Sequence, residues 1–310
     1  MLSYHCGPLP CTKVQYRKPP AGNPPRTPKV RINEADRQMA HRLRRDYIQV
    51  DPETTPGCIG LIRRTASFLC IIVTALVTKA FLRFFAHTKV FGAAHLTDLL
   101  HDRETCPRPL LTVANHISAV DDPLLWGFVP LHYSLNRQSV RWCIAAKDIL
   151  FTNPISTALL SLCQTIPVVR GGGVRQPFID NAIDRLNHNK WVHIFPEGKV
   201  YQTSCMGYFR WGVARLVMEA RTTPLVVPIW HAGMDKVLPL NRRVPLPVPG
   251  QQITIAVGEP LDFAPLLRQA AEEGWSTADT RARIARVIKN AIDLLGKQHI
   301  TGLAPIPAAA

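Results

Sequence analysis

The 310-residue chain has no CxxC pair, no GxSxG elbow and no GxxxxGK[ST] loop. Each absence removes a class. Without paired CxxC spacing, neither a disulfide framework nor a cysteine-built structural metal site is expected. Cys6, Cys11, Cys58, Cys70, Cys106, Cys143, Cys163 and Cys205 are scattered, several in apolar runs, as core cysteines are. Without the serine elbow there is no hydrolase-type nucleophile. Without the phosphate loop, nucleotide binding is a poor inference. Acid is also scarce: 22 Asp and Glu against 37 Lys and Arg, a net charge of +15. Such a surface suits nucleic acid or anionic lipid. No zinc-finger or basic-zipper spacing appears, and 46% of the residues are hydrophobic. A lipid surface is therefore the expected partner, and nucleic acid is not.

No apolar core lies near the N-terminus, so a secretory signal is not expected. Prolines interrupt the segment and its arginines come late, unlike a clean mitochondrial presequence. Residues 1–60, with PPAGNPPRTPKVR, read as a disordered basic extension. Residues 61–88 read as a membrane-inserting anchor. The uninterrupted stretch Ala66–Thr78 is shorter than the roughly 20 residues of a bilayer crossing. Adding Lys79–Phe85 reaches that length but brings in Lys79 and Arg83, which can snorkel. Full crossing and shallow insertion both stay open, and a buried core helix is the bland alternative.

Residues 89–300 alternate strand and helix signals, and 301–310 read as a flexible tail. Strands are expected at 110–114, 140–146, 191–195, 224–230 and 252–258, the fourth closed by Pro228. Helices are expected from DDPLLWGFV, with Asp122 as cap and Pro123 at the first position. QPFIDNAIDRLNH, YFRWGVARLVMEA and STADTRARIARVIKNAIDLLG follow, the last stopping at Gly296. The expected class is α/β, a mixed or largely parallel sheet covered by helices.

Three constellations carry candidate chemistry. In NHISAVDD, His116 follows a strand, and Asp121 comes five residues later. If the intervening turn folds back, Asp121 fixes one ring nitrogen of His116 and leaves the other as a base. Asn115 could brace that turn, and Ser118 is a weaker candidate for capping it. With no nucleophile nearby, the economical chemistry is activation of a substrate hydroxyl. A plain polar turn is the structural alternative. A metal site would need His193 or His231, which the spacing does not demand. In FPEGKV, Glu197 is a hydroxyl-binding or scaffold carboxylate, and Gly198 permits a turn closed to larger residues. In PVVRGGGVR, Arg170 and Arg175 flank three glycines, a loop suited to phosphate. Lys199 adds an anionic contact or faces water.

Together NHISAVD, PVVRG, FPEG and VVPIW resemble the blocks of the glycerolipid acyltransferase superfamily. The wording NHISAVDDPLLWG, RWCIAAKDILFT, WVHIFPEGKV and PIWHAGM is similar to its tafazzin family, over roughly residues 65–260. The resemblance implies transacylation from phospholipids to lysophospholipids, notably monolysocardiolipin, without coenzyme A. It implies His116 and Asp121 as catalytic pair, and Arg170, Glu197, Gly198 and Lys199 as substrate-binding residues. It further implies no metal or organic cofactor, mitochondrial membranes facing the intermembrane space, and phospholipid partners in an anionic membrane. Self-association stays open. The rival readings are an acyl-CoA-dependent lysophospholipid acyltransferase and a noncatalytic membrane scaffold.

Overall fold

The computed structural model describes residues 57–103, 105, 108–170, 173–202, 206–240 and 246–300. The expected extension before residue 57 and the tail after residue 300 lie outside the described residues.

The chain enters as helix α1 (Gly57–Phe84) and turns into strand β1 (Ala86–Phe91), whose first three residues fall inside the stretch expected as anchor. Then come α2 (Ala94–Asp102), β2 (Leu110–Ala114), α3 (Asp121–Leu125), β3 (Trp142–Ala146), α4 (Pro154–Leu162) and β4 (Thr165–Val168). The chain continues through α5 (Pro177–Asn187), β5 (Trp191–Ile194), α6 (Gly212–Glu219), β6 (Leu225–Ala232), β7 (Gln251–Val257) and β8 (Leu261–Asp262). Helices α7 (Ala264–Glu272) and α8 (Thr277–Ile300) complete the described fold, with single-turn helices between some elements.

The strands form one sheet in the order β1-β7-β6-β2-β5-β3-β4, with β8 also on β6. β2 runs parallel to both neighbours, β5 and β6. β7 and β8 are antiparallel to β6, so the sheet is mixed. Every residue of β2 and β5 is buried. Central parallel strands covered on both faces need such continuous apolar runs, which is why LLTVA and WVHI read so clearly. Leu111 and Val113 join the core beneath α5, α6, α7 and α8. Leu110 and Ala114, on the other face, join α2, α3 and the end of α1.

β6 continues through Pro228 to Ala232 rather than closing there. Along one side β6 pairs with β8 at 225–226 and with β7 at 229–232. Pro228 sits at the change of partner, where no ladder bond needs its missing N–H.

α1 presents Gly60, Ser67, Ile71, Thr78 and Leu82 to the protein. Ser67 Oγ donates to the Leu162 carbonyl (2.6 Å), Thr78 Oγ1 to Pro123 (3.0 Å) and Lys79 Nζ to Gly127 (2.9 Å). The opposite stripe, with Leu69, Val73, Leu76 and Val77, is about half exposed or more. α1 is long and apolar enough to cross a membrane, the sole such helix among the described residues. The neighbouring α4 adds exposed Ile155 and Leu159.

α8 passes through Gly296 without stopping. A Cβ there would lie 2.7 Å from Trp230 Nε1, so the glycine serves close packing of helix on sheet. Gly296→Val should lower stability by about 1–3 kcal/mol through overpacking. A chemical unfolding curve measures this; an unchanged midpoint would refute the packing role.

Candidate active site

The C-terminal ends of the parallel strands β2, β5 and β6 lie side by side, the usual location of clefts in α/β sheets. Asn115 and His116 follow β2, Phe195 to Gly198 follow β5, and His231 lies near the end of β6. The site is built from these three ends.

The turn after β2 folds back as expected. His116 Nδ1 lies 2.8 Å from Asp121 Oδ2, and the backbone N–H groups of Ile117 (2.7 Å) and Ser118 (2.8 Å) donate to the same oxygen. Asp121 is fully buried, whereas the His116 side chain keeps 21% exposure. Phe195 stacks on the imidazole at 4.3 Å and fixes its plane. With Nδ1 engaged by carboxylate, Nε2 is the nitrogen left for a substrate proton. Asn115 braces a neighbouring strand rather than this turn: its side chain bonds the backbone of His231 in both directions at 2.9 Å. Ser118 Oγ donates to the Leu238 carbonyl (3.2 Å).

Glu197 is buried and accepts the backbone N–H groups of His116 (2.8 Å) and Gly207 (2.7 Å) on its two oxygens. Burial raises its pKa, and those two backbone donors oppose the rise. The backbone N–H of Tyr201 donates to the His116 carbonyl (2.8 Å), so His116 is held at both its backbone N–H and its C=O. Gly198 has a positive φ of 69°, and a Cβ there would lie 2.5 Å from Arg210 Nε. Arg210 is exposed over this turn, with Nε 3.4 Å from the Glu197 carbonyl. No motif marks it in the sequence; its signal is a cation directly after the buried Phe209 in FRWG. Lys199 is exposed and lies over the Tyr201 ring, 4.6 Å from its centroid.

Arg170 lies apart from this group. It follows β4, the edge strand, three strand spacings or about 14 Å from β2. Its guanidinium forms a two-pronged pair with Asp148, with Nε at 2.9 and 3.1 Å from the carboxylate oxygens.

Asp122 does not cap α3. The helix begins at Asp121, after Val120, with no side-chain cap bond. Asp122 instead accepts from Arg141 (2.6 Å) and from Trp126 Nε1 (3.1 Å), while Arg141 also lies over the Trp126 ring. Burial would raise the Asp122 pKa, but the Arg141 charge and hydrogen bonds win and hold it at about 2. His193 packs edge-on against Trp126 and Phe195, with Nδ1 2.9 Å from Thr112 Oγ1. Burial depresses its pKa to about 3, so it stays neutral. Among the described residues, no group of three His, Cys, Asp or Glu side chains is arranged to hold a metal.

Residues 99–232 match the family model described as Acyltransferase. The chain is 36% identical to the N-acylphosphatidylethanolamine synthase of Arabidopsis thaliana, over 68% of this chain and 75% of that protein. It is 46% identical to the Taffazin of Dictyostelium discoideum, over 54% of this chain and 60% of that protein. The crystal structure of the 1-acyl-sn-glycerophosphate acyltransferase PlsC from Thermotoga maritima superposes with a TM-score of 0.51 at 17% identity. That match covers 84% of this chain and 94% of the other and concerns the fold.

Because the Asp122 pKa falls on folding, its stabilisation is complete above the unfolded value near 3.8 and is lost as pH drops toward 2. Stability of the protein should decline through that window, and Asp122→Asn should lose stability at neutral pH and flatten this part of the profile. Thermal midpoints from pH 2 to 6 test it; parallel profiles for both proteins would refute the assignment.

Proposed function

The chain belongs to the glycerolipid acyltransferase family that includes the tafazzins, and from that premise we propose that it transfers acyl chains from phospholipids to lysophospholipids without coenzyme A. The reading includes monolysocardiolipin as acceptor and mitochondrial membranes facing the intermembrane space as its place of action. The observation that carries the chemistry is the His116–Asp121 pair, at 2.8 Å with the histidine side chain partly exposed.

In this mechanism the lysolipid hydroxyl gives its proton to His116 Nε2 as its oxygen attacks the donor's ester carbonyl. Asp121 stabilises the imidazolium that forms. The tetrahedral intermediate collapses, the old ester bond breaks, and His116 returns the proton to the leaving oxygen. One ester is made and one is broken, so no redox partner or cofactor enters the balance. Arg210, exposed over the Gly198 turn, supplies a cation for lipid phosphate, with Lys199, over the Tyr201 ring, as a second. Arg170, exposed and paired with Asp148, is a further cation for lipid phosphate. Glu197 and Gly198 shape the pocket, Glu197 by holding the His116 backbone.

A second reading comes from the relative named N-acylphosphatidylethanolamine synthase. The same base could serve an amine acceptor and give an N-acylated phospholipid. Purified protein is incubated with acyl-labelled phosphatidylcholine, monolysocardiolipin and phosphatidylethanolamine in the rigorous absence of coenzyme A. Label in cardiolipin is expected, with a loss on the order of 10²–10⁴-fold for His116→Ala. Label only in N-acyl product favours the second reading. Transfer solely from added acyl-CoA contradicts the proposed donor.

The lipid reaction requires membrane contact, which the outer stripe of α1 supplies. Its inner stripe is bonded to the domain from Ser67 to Lys79, about 18 Å of helix at 1.5 Å per residue. A helix so flanked by protein enters by its exposed side rather than crossing alone. Leu69→Glu with Val73→Glu and Leu76→Glu, all on the exposed stripe, should release the folded protein from sedimenting vesicles. Full retention would place membrane attachment elsewhere.

A further inference from the structure

Asp121 faces two imidazoles. His116 Nδ1 is 2.8 Å from Oδ2, and His231 Nε2 is 3.8 Å from the same atom, with Asp121 and His231 both buried. The longer distance is outside hydrogen-bond range. The His231 Nε2 proton has another acceptor, the Asn115 carbonyl oxygen at 2.7 Å. A carbonyl has no proton to give, so this contact fixes His231 as the Nε2–H tautomer. Burial lowers its pKa against the pull of Asp121, and the ring stays neutral.

We propose that His231 is a positioning residue for the His116–Asp121 pair, an inference that rests on reading His116 as the base. Its ring and backbone make three hydrogen bonds to Asn115, the residue before His116. They fix the end of the strand that delivers the base. A neutral ring at this place also leaves the charge of Asp121 undivided. A second imidazolium 3.8 Å away would compete for that charge just when His116 takes up its proton.

The test uses the full chain acting on phosphatidylcholine and monolysocardiolipin in vesicles. kcat, KM and thermal midpoint are measured for His231→Phe and His231→Gln, each alone and with Asp121→Asn. His231→Phe should lower kcat roughly 10–100-fold, the range known for loss of the hydrogen-bond partners behind metal-ligating histidines. KM should hold, as for an interaction made in the transition state alone. His231→Gln, which keeps an N–H for the Asn115 carbonyl, should recover most of the rate. With Asp121→Asn present, His231→Phe should cost far less, because it acts through that pair. An unchanged kcat for His231→Phe, or an equal fold-loss in both backgrounds, would overturn the proposal. If His231→Phe does not fold, His231→Asn replaces it, being too short to reach the carbonyl; equal rates for Asn and Gln would also overturn the proposal. His116→Ala is run alongside. Full activity there defeats the reading of the base, separately from any result at His231.

Discussion

One carboxylate oxygen organises this site. Asp121 Oδ2 takes a proton donor from the His116 ring and two from the backbone of the turn between them. A buried carboxylate is costly in isolation, and three convergent donors are what make it tolerable. The turn cannot relax without stripping that oxygen, so the imidazole is held by a covalently short and electrostatically stiff loop. Its backbone is held from outside as well, by Glu197 at the amide and Tyr201 at the carbonyl. The ring plane is set by Phe195. Preorganisation of this kind lets a histidine act with little rearrangement.

The segment DDPLLWG joins the His116–Asp121 pair to the long apolar helix α1. Asp121 serves the histidine. Asp122 serves Trp126 and Arg141, locking α3 to β3. The Gly127 carbonyl receives Lys79 of α1, and a Cβ at Gly127 would lie 2.4 Å from Leu82 of the same helix. The helix with the exposed apolar stripe is thus seated on the element that begins with Asp121. The His116–Asp121 pair and the apolar stripe are parts of one packed unit.

What could be read beforehand was local. Central strands announce themselves because burial on both faces demands apolar runs. β1 and β4 escaped because they are edge strands: β1 alternates half-buried and exposed residues, and β4 is four residues containing Pro167. The His116–Asp121 pair was legible because its members are only five positions apart. Asp122 was read as a cap because its partner Arg141 is distant in sequence. The Asn115–His231 clamp spans 116 residues and leaves no trace in spacing. Gly296 read as a helix stop because a glycine's packing role depends on its neighbour, here Trp230, which only the fold supplies.

The central claim is that Asp121 holds the proton of neutral His116 on Nδ1 and leaves Nε2 bare. Nitrogen-15 NMR of the imidazole rings in histidine-labelled protein, assigned with His116→Gln, measures this directly. The account predicts a protonated Nδ1 and an unprotonated Nε2 for His116, with that preference lost in Asp121→Asn. A neutral His116 ring with its proton on Nε2 in the unmodified protein would contradict it.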